Sequence, residues 1–203
     1  MFIYTLTKDP ILFVRVVAIV ILSICLHELA HGFAAISQGD DTPRKTGHMT
    51  LNPIVHMGWH SIIYLFLFGI SWGQMPVNPS KFRHPKYSNI LVSAAGPLSN
   101  LVLSLIFLTI WKFTLDNNIS TFFSEEFLYL GASINIHLML FNLLPIPPLD
   151  GFHIYSELFP DLKRLENTQF GLFALMLVFI LPQFGEGLNQ ISTFIIGSFL
   201  GGK

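Results

Sequence analysis

The chain has 203 residues, of which 52% are hydrophobic and only 11% are charged. Soluble domains carry about 25% charged residues, so the composition excludes a disordered chain, a disulfide scaffold and an ordinary soluble enzyme. The net charge of −1 argues against a nucleic-acid partner. The single cysteine, Cys25, cannot form an internal disulfide. A protein that crosses a membrane several times remains.

The first long apolar run covers residues 11–37 and is interrupted only by Arg15, His27, Glu28 and His31. A helix of this length can span a bilayer. The run is too long for the apolar part of a cleavable signal peptide. We therefore predict a membrane-spanning helix that carries two histidines and a glutamate in its second half.

The rest of the chain alternates between apolar runs and polar connections. The next apolar run, 59–73, is short for a span. Three longer runs predict further spans, and a last run fits either a span or an interfacial helix: 87–113, 127–144, 168–183 and 188–200. Polar segments, the last of them a short helix and loop, separate these runs: 38–57, 74–86 and 151–167. We predict an all-α membrane protein with about five to six transmembrane or re-entrant segments. These should form one compact bundle and a single domain over residues 1–203.

His27, Glu28 and His31 spell HELAH, an HExxH motif. In a helix, residues i and i+4 share a face, so both imidazoles can point at one metal ion, with Glu28 beside it to accept a proton from water. The alternative is a pair of helix-surface histidines with a solvated glutamate. An apolar span offers no solvent for that arrangement, since a charge there costs about 2.5–3.5 kcal/mol on insertion scales. The motif therefore predicts metal ligation by His27 and His31.

Asp150 is the candidate third ligand, because a catalytic zinc usually has three ligands from the protein. It is the only acidic residue between Glu126 and Glu157, and it follows a proline-rich break in an apolar run. Backbone groups freed by such a break are tolerated in a membrane only where protein or water satisfies them. The alternative is that Asp150 caps a short helix starting near Gly151. Because the HExxH motif supplies only two of the three expected ligands, metal ligation by Asp150 is favoured over capping.

Five motifs give the chain a family resemblance. They are HELAH at 27–31, GHMTLNP at 47–53, PVNPSKF at 76–82, AAGPLSN at 94–100 and NLLPIPPLDG at 142–151. In this order and spacing they resemble the site-2 protease family of intramembrane zinc metalloproteases. The resemblance covers residues 11–160 and is to the compact bacterial branch, which has no PDZ or CBS domain.

The resemblance implies a role for each residue of the candidate metal site. His27, His31 and Asp150 are expected to bind one zinc ion per chain, and Glu28 is expected to be the general base.

Two asparagines also match family positions. Asn142 precedes the LDG motif and Asn100 ends the GPxxN motif, so both are candidates to bind the substrate or the oxyanion. The alternative for each is a hydrogen bond that holds two helices together.

Three short stretches depart from the family pattern. The chain reads HMGW at 56–59 rather than HIDP, GFH at 151–153 rather than GGR, and HM at 48–49, where an arginine is common. None of these departures removes a ligand or the base.

The remaining histidines offer weaker candidates. His153 lies one helical turn after the third ligand and can hydrogen-bond it. His56 is either such a positioning group or a histidine at the membrane interface. His137 is expected to be a satisfied core residue, while His48 and His60 flank the polar connection and have no assigned role.

The candidate ligands constrain the topology. His31 lies near the end of the first span and Asp150 follows the run at 127–144, so these two helices must run in the same direction. That requires 59–73 to be re-entrant or interfacial, and such a segment is also where an extended substrate can pair. Basic residues then divide seven to three, which places the metal side in the cytoplasm. The seven are Arg44, Lys45, Lys81, Arg83, Lys86, Lys163 and Arg164, and the three are Lys8, Arg15 and Lys112.

Together these features predict an intramembrane zinc metalloprotease of the inner, cytoplasmic membrane. Its expected partners are the lipid bilayer and a single-span membrane protein, which it cuts within or near the transmembrane helix. One alternative is a catalytically silent membrane protein of the same fold that binds helices, and an intact Glu28 argues against it. The other is a metal transporter, which usually shows repeated spans.

Overall fold

The computed structural model describes residues 1–117, 124–166 and 169–201. All regular secondary structure in these ranges is helical, which confirms the all-α prediction. The helices are α1 (Tyr4–Lys8), α2 (Pro10–Ser37), α3 (Thr42–Lys45), α4 (Pro53–Phe68), α5 (Pro85–Asp116), α6 (Glu125–Asn142), α7 (Asp150–Leu158), α8 (Phe170–Ile180) and α9 (Pro182–Leu200). Two short 3-10 helices lie at Pro79–Lys81 and Pro160–Leu165. Residue contacts divide the chain into two compact units, Met1–Ser88 and Asn89–Lys203.

Two of the described helices, α2 and α5, are long and apolar enough to cross a membrane. They have 28 and 32 residues, which corresponds to about 42 and 48 Å at 1.5 Å per residue, against a hydrocarbon core of about 30 Å. The other predicted spans are shorter helices of 18, 11 and 19 residues, namely α6, α8 and α9. Residues 167 and 168, at the predicted boundary before α8, lie outside the described ranges. The number of helices that cross a membrane stays a prediction.

In the first unit, α2 has clear start and stop signals. The Asp9 side chain caps its first turn by accepting a hydrogen bond from the backbone N–H of Leu12 at 2.9 Å, and Pro10 occupies the first helical position. The helix ends before Gly39, whose φ of 103° suits a residue without a side chain. The predicted limits, 11–37, therefore agree closely with the observed helix.

Helix α4 packs along α2 in the opposite direction. Met57 and Leu65 of α4 share a buried cluster with three residues of α2: Phe13, Val17 and Ile24. At the far end of α4, the Phe66 ring meets the Phe13 ring edge-on at 5.7 Å between centroids. The end of α4 thus lies beside the start of α2.

After α4 the chain reverses and runs back along that helix as a non-helical stretch over residues 69–78, here called the return segment. Gly69 makes the turn with a φ of 77°. The Trp72 N–H donates to the Ser61 hydroxyl at 2.8 Å, and that hydroxyl donates to the Trp72 carbonyl at 2.6 Å. Further on, the Gln74 N–H donates to the His56 carbonyl at 2.9 Å. Helix α4 and the return segment therefore form a hairpin whose two ends lie at the same end of α4.

In the second unit, α6 packs against α9. Ser124 caps α6 by accepting a hydrogen bond from the Phe127 N–H at 3.2 Å. The buried cluster of this unit contains Leu108 from α5, Ala132 and Ile136 from α6, and Ile196 from α9. Helix α6 ends at Asn142, and the proline-rich stretch that follows leads into α7.

Candidate metal centre

His27 and His31 lie on one face of α2 and point their rings at a common place. Their Nε2 atoms are 3.0 Å apart, and their rings meet at 77° with 4.7 Å between centroids. Both side chains are buried, with 7% and 8% of their surface exposed. Two nitrogens bound to one tetrahedral zinc at about 2.0–2.1 Å lie about 3.3 Å apart. The histidine pair is therefore nearly preformed for one ion.

Glu28 lies on the neighbouring face of α2 and is covered by the return segment. It is buried, with 6% of its surface exposed. A Cβ at position 73 would overlap the Glu28 Oε1 atom and would come within 2.8 Å of Ile24 Cγ2. Only glycine at position 73 lets the backbone approach the carboxylate this closely. The sequence analysis missed Gly73, because nothing local in the chain marks a contact 45 residues away.

Asp150 belongs to the second unit, where it is the first residue of α7 and is partly buried. The N-cap position is Leu149, and no side chain caps the helix there. Gly151 lies so close to the end of α6 that a Cβ on it would overlap the Leu143 carbonyl. This packing fixes the start of α7 against the end of α6. Asp150 therefore does not cap α7 from the N-cap position, which was the alternative to metal ligation.

The two candidate asparagines differ in their surroundings. Asn100 of α5 is fully buried and donates from Nδ2 to Asn135 Oδ1 of α6 at 3.0 Å, while Asn135 donates to the Gly131 carbonyl at 2.8 Å. This bond between two helices is the structural alternative considered for Asn100. Asn142 is the last residue of α6, is partly buried, and donates to the Leu138 carbonyl of its own helix at 2.9 Å. Asn135 was not singled out from the sequence, although a polar residue within an apolar run was a signal for it.

His56 is fully buried in α4. Its Nε2 lies 2.6 Å from the Thr50 carbonyl, so Nε2–H donates to that carbonyl. Among the described residues Nδ1 has no hydrogen-bond partner. His56 also accepts the Gln74 N–H on its backbone carbonyl, and it therefore connects α4 to the segments on both sides of it.

The other histidines have different surroundings. His153 lies on α7 with its ring edge-on to Phe152 at 5.9 Å. His137 Nδ1 is 3.4 Å from the Ser133 hydroxyl within α6. His48 is held by Thr46 in the connection after α3, and His60 is exposed on α4.

A buried carboxylate anchors the far end of the return segment to the end of α2. Asp40 is fully buried, and its two oxygens accept the N–H groups of Thr42 at 2.9 Å and Asn78 at 2.6 Å. Lys81 Nζ lies 3.7 Å from Asp40 and 2.7 Å from Asp41. The sequence analysis treated this region only as a polar connection, because the Asp40–Asn78 bond joins residues far apart in the chain.

The pKa values of the two carboxyl groups, Asp40 and Asp41, are both lowered. Burial by itself raises the pKa of Asp40, but hydrogen bonds from Thr42 and Asn78 and the charge of Lys81 outweigh it and hold the pKa below its usual value. Hydrogen bonds from Lys45 and Lys81 lower the pKa of Asp41 to about 2. Both carboxylates therefore stay ionised at neutral pH.

Two imidazoles one helical turn apart, with a glutamate between them, are typical of the metal-binding helix of a metallopeptidase. Comparison with known proteins agrees, since the profile described as peptidase family M50 matches residues 112–182. The protein named "Putative zinc metalloprotease YwhC" of Bacillus subtilis is 38% identical over 188 residues, covering 88% of this chain and 84% of the relative. The protein named "Putative zinc metalloprotease Rip2" of Mycobacterium tuberculosis is 31% identical over 180 residues, covering 84% of this chain and 68% of the relative.

The chain belongs to peptidase family M50, the site-2 protease family. This confirms the resemblance found in the sequence motifs. No solved structure matches the chain.

Proposed function

We propose that this protein is an intramembrane zinc metalloprotease that hydrolyses a peptide bond within or near the transmembrane helix of a single-span membrane protein. The observation that carries the proposal is the buried histidine pair and the buried Glu28 on α2, a helix long and apolar enough to cross a membrane. Ionisable residues in such a helix are costly unless they serve a site. Membership of a metallopeptidase family supports the same assignment.

The proposed ligands for one metal ion per chain are His27, His31 and Asp150, the residues that match the metal-binding positions of the family motifs. Two imidazoles and a carboxylate are a usual donor set for catalytic zinc. The 3.0 Å separation of the two Nε2 atoms fits such an ion. When bound, zinc acts as a Lewis acid on the peptide carbonyl and lowers the pKa of water.

Glu28 is the proposed general base. It lies on α2 between the two histidines in sequence, where a base would take a proton from the attacking water. It then returns that proton to the leaving amine, as a single group that serves as base and then as acid. Glu28 is buried and Gly73 packs against it, which limits the contact of the carboxylate with bulk water.

The return segment is the proposed place where the substrate pairs. Trp72 and Gln74 direct their backbone groups towards α4, an alternation typical of an extended chain. In such a chain, successive residues direct their N–H and C=O groups to opposite edges. The backbone groups of Gly73 and Met75 therefore face the other edge, where they can pair with an unwound stretch of substrate. The Cα of Gly73 also packs against Glu28, the proposed base, so a substrate paired along this edge would lie near that residue.

We further propose that the site lies towards the cytoplasmic side of the inner membrane. The hairpin of α4 and the return segment begins and ends at the same end of α4, which supports a re-entrant segment over 59–73. Gly58, with a φ of 66° and a ψ of 165°, also interrupts α4 and leaves its second part too short to cross a bilayer. With this topology the excess of Lys and Arg lies on the metal side, as the positive-inside rule requires.

Co-expression with a library of tagged single-span proteins tests the proposal. Cleavage by the wild type that falls by about 100-fold or more in Glu28→Gln, with zinc retained, is the expected result. Glu186→Gln is the matched control, because Glu186 is an exposed acid in α9. Equal cleavage in Glu28→Gln would remove the mechanism. If the wild type retains zinc and cuts no member of the library, the silent helix-binding alternative replaces the proposal.

A further inference from the structure

One face of α2 carries three residues at four-residue spacing, Ile24, Glu28 and Gly32, and the return segment follows that face. Gly73 lies against the first two of these residues, and Met75 lies against the third. Four residues of helix rise about 6.0 Å, and two residues of extended chain cover about 6.6 Å. Every second residue of the extended return segment therefore lies opposite every fourth residue of α2.

Two methionine side chains from different segments meet at Gly32, one turn beyond Glu28. A Cβ at position 32 would lie 2.7 Å from Met49 Sδ and 3.0 Å from Met75 Cε. Met49 comes from the connection before α4 and Met75 from the return segment. Both side chains are only partly buried, so part of each is accessible. We call Met49 and Met75 the methionine pair.

We propose that the methionine pair, seated on Gly32, forms an apolar subsite for a substrate side chain about two residues from the scissile bond. The inference rests on the proposed proteolytic function. A peptide carbonyl attacked beside Glu28 places the side chain two residues along the extended substrate one helical turn away, at Gly32. The pair thus helps to determine specificity and has no part in the proton transfers.

The chemistry of the pair defines what it accepts. Methionine side chains are unbranched and polarizable, so they adapt to apolar side chains of different shape. Thioethers are weak acceptors and cannot satisfy a charged group, so a charged substrate side chain would be left without a partner there. We therefore assign to this subsite apolar side chains such as leucine and phenylalanine, and we expect it to exclude aspartate.

The absence of a side chain at position 32 sets the size of the subsite. In Gly32→Ala the new methyl group must displace Met49 Sδ and Met75 Cε, which are the far ends of flexible chains. The displaced thioethers would then occupy space that the substrate side chain needs. Met75→Ala has the opposite effect, because it removes one wall of the subsite.

The test uses the purified zinc-bound protein and one single-span protein that the wild type cleaves. The three residues on each side of the mapped scissile bond are replaced in turn by Ala, Leu, Phe and Asp, and kcat/KM is measured for each substrate. At one of the six positions, Met75→Ala should raise the ratio of Phe to Ala cleavage by about tenfold, and Gly32→Ala should lower it by a similar factor. Met176→Ala and Gly187→Ala are matched controls, since Met176 is exposed and a Cβ on Gly187 meets open space.

Ratios equal to those of the wild type at all six positions, with zinc content and Glu28-dependent cleavage intact, would overturn the subsite. If Gly32→Ala loses zinc or fails to fold, Met75→Ala and Met49→Ala decide the question. An absence of Glu28-dependent cleavage by the wild type overturns the proposed function itself. The two failures are therefore distinguishable.

Discussion

Gly73 of the return segment lies directly against the side chain of Glu28 on α2, and no larger residue fits between them. The contact joins a non-helical stretch of backbone to the proposed base. The contact requires a residue without a side chain at position 73. Substitution of Gly73 therefore tests the importance of the contact without changing a proposed metal ligand.

Gly73→Ala is expected to lower kcat/KM by about 100-fold while zinc stays bound. The added methyl group pushes the return segment away from Glu28 or rotates the carboxylate, and displacements near 1 Å can cost this much. Cleavage of a single-span substrate and metal analysis of the same sample make the measurement. Gly185→Ala is the control, because a Cβ there meets nothing within 4 Å. A Gly73→Ala protein as active as the control would mean that the close contact does not matter for catalysis.

Asp150→Ala is expected to lower zinc affinity by more than about 100-fold, because changes beyond the ligands themselves already cost 10–100-fold. Asp150→Asn keeps an oxygen donor and is expected to retain some zinc with little activity. Zinc content after dialysis against a graded series of chelator concentrations measures both effects. Asp161→Ala serves as the control, since this acid is exposed in the same unit. Unchanged zinc binding in Asp150→Ala would return Asp150 to a purely structural role.

The topology predicts that residues 38–86 and 151–167 face the cytoplasm and that 59–73 does not cross the membrane. Single cysteines at Arg44, Ser80, Asn117 and Glu166, in a Cys25→Ser background, test this prediction. An impermeant thiol reagent outside intact cells should label only position 117. Labels on opposite sides for 44 and 80 would show that 59–73 crosses. A crossing would separate His31 from Asp150 by most of the hydrocarbon thickness, about 30 Å, and no zinc site could form across it.

Asp40→Asn is expected to destabilise the protein by about 1–3 kcal/mol. The two oxygens of Asp40 accept different backbone N–H groups, and an amide offers only one acceptor oxygen. One buried N–H would therefore face an NH2 group and lose its partner. Thermal unfolding in detergent measures the loss. Asp41→Asn is the matched comparison and should have a smaller effect, because Asp41 is half exposed. Equal effects of the two changes would show that the Asp40 anchor contributes little.

Local features of the fold could be predicted from the sequence. The limits of α2 follow from a long apolar run that begins after Asp9-Pro10, and the pairing of His27 with His31 follows from helical spacing alone. Contacts between distant residues could not be predicted in this way. The approach of Gly73 to Glu28 and the bonds from Asp40 to Asn78 and from Asn100 to Asn135 depend on how separate segments pack. No local pattern of residue types encodes that packing.

The anchor between Asp40 and Asn78 also orders events during synthesis of the protein. The bond joins residues that are 38 positions apart, and ribosomes add about 5–20 residues per second. For about 2–8 seconds after Asp40 is made, its carboxylate therefore lacks the Asn78 donor. The helix that carries the two histidines is complete before the stretch that covers its glutamate has been translated. The covering of Glu28 thus follows the synthesis of the helix that carries the two histidines.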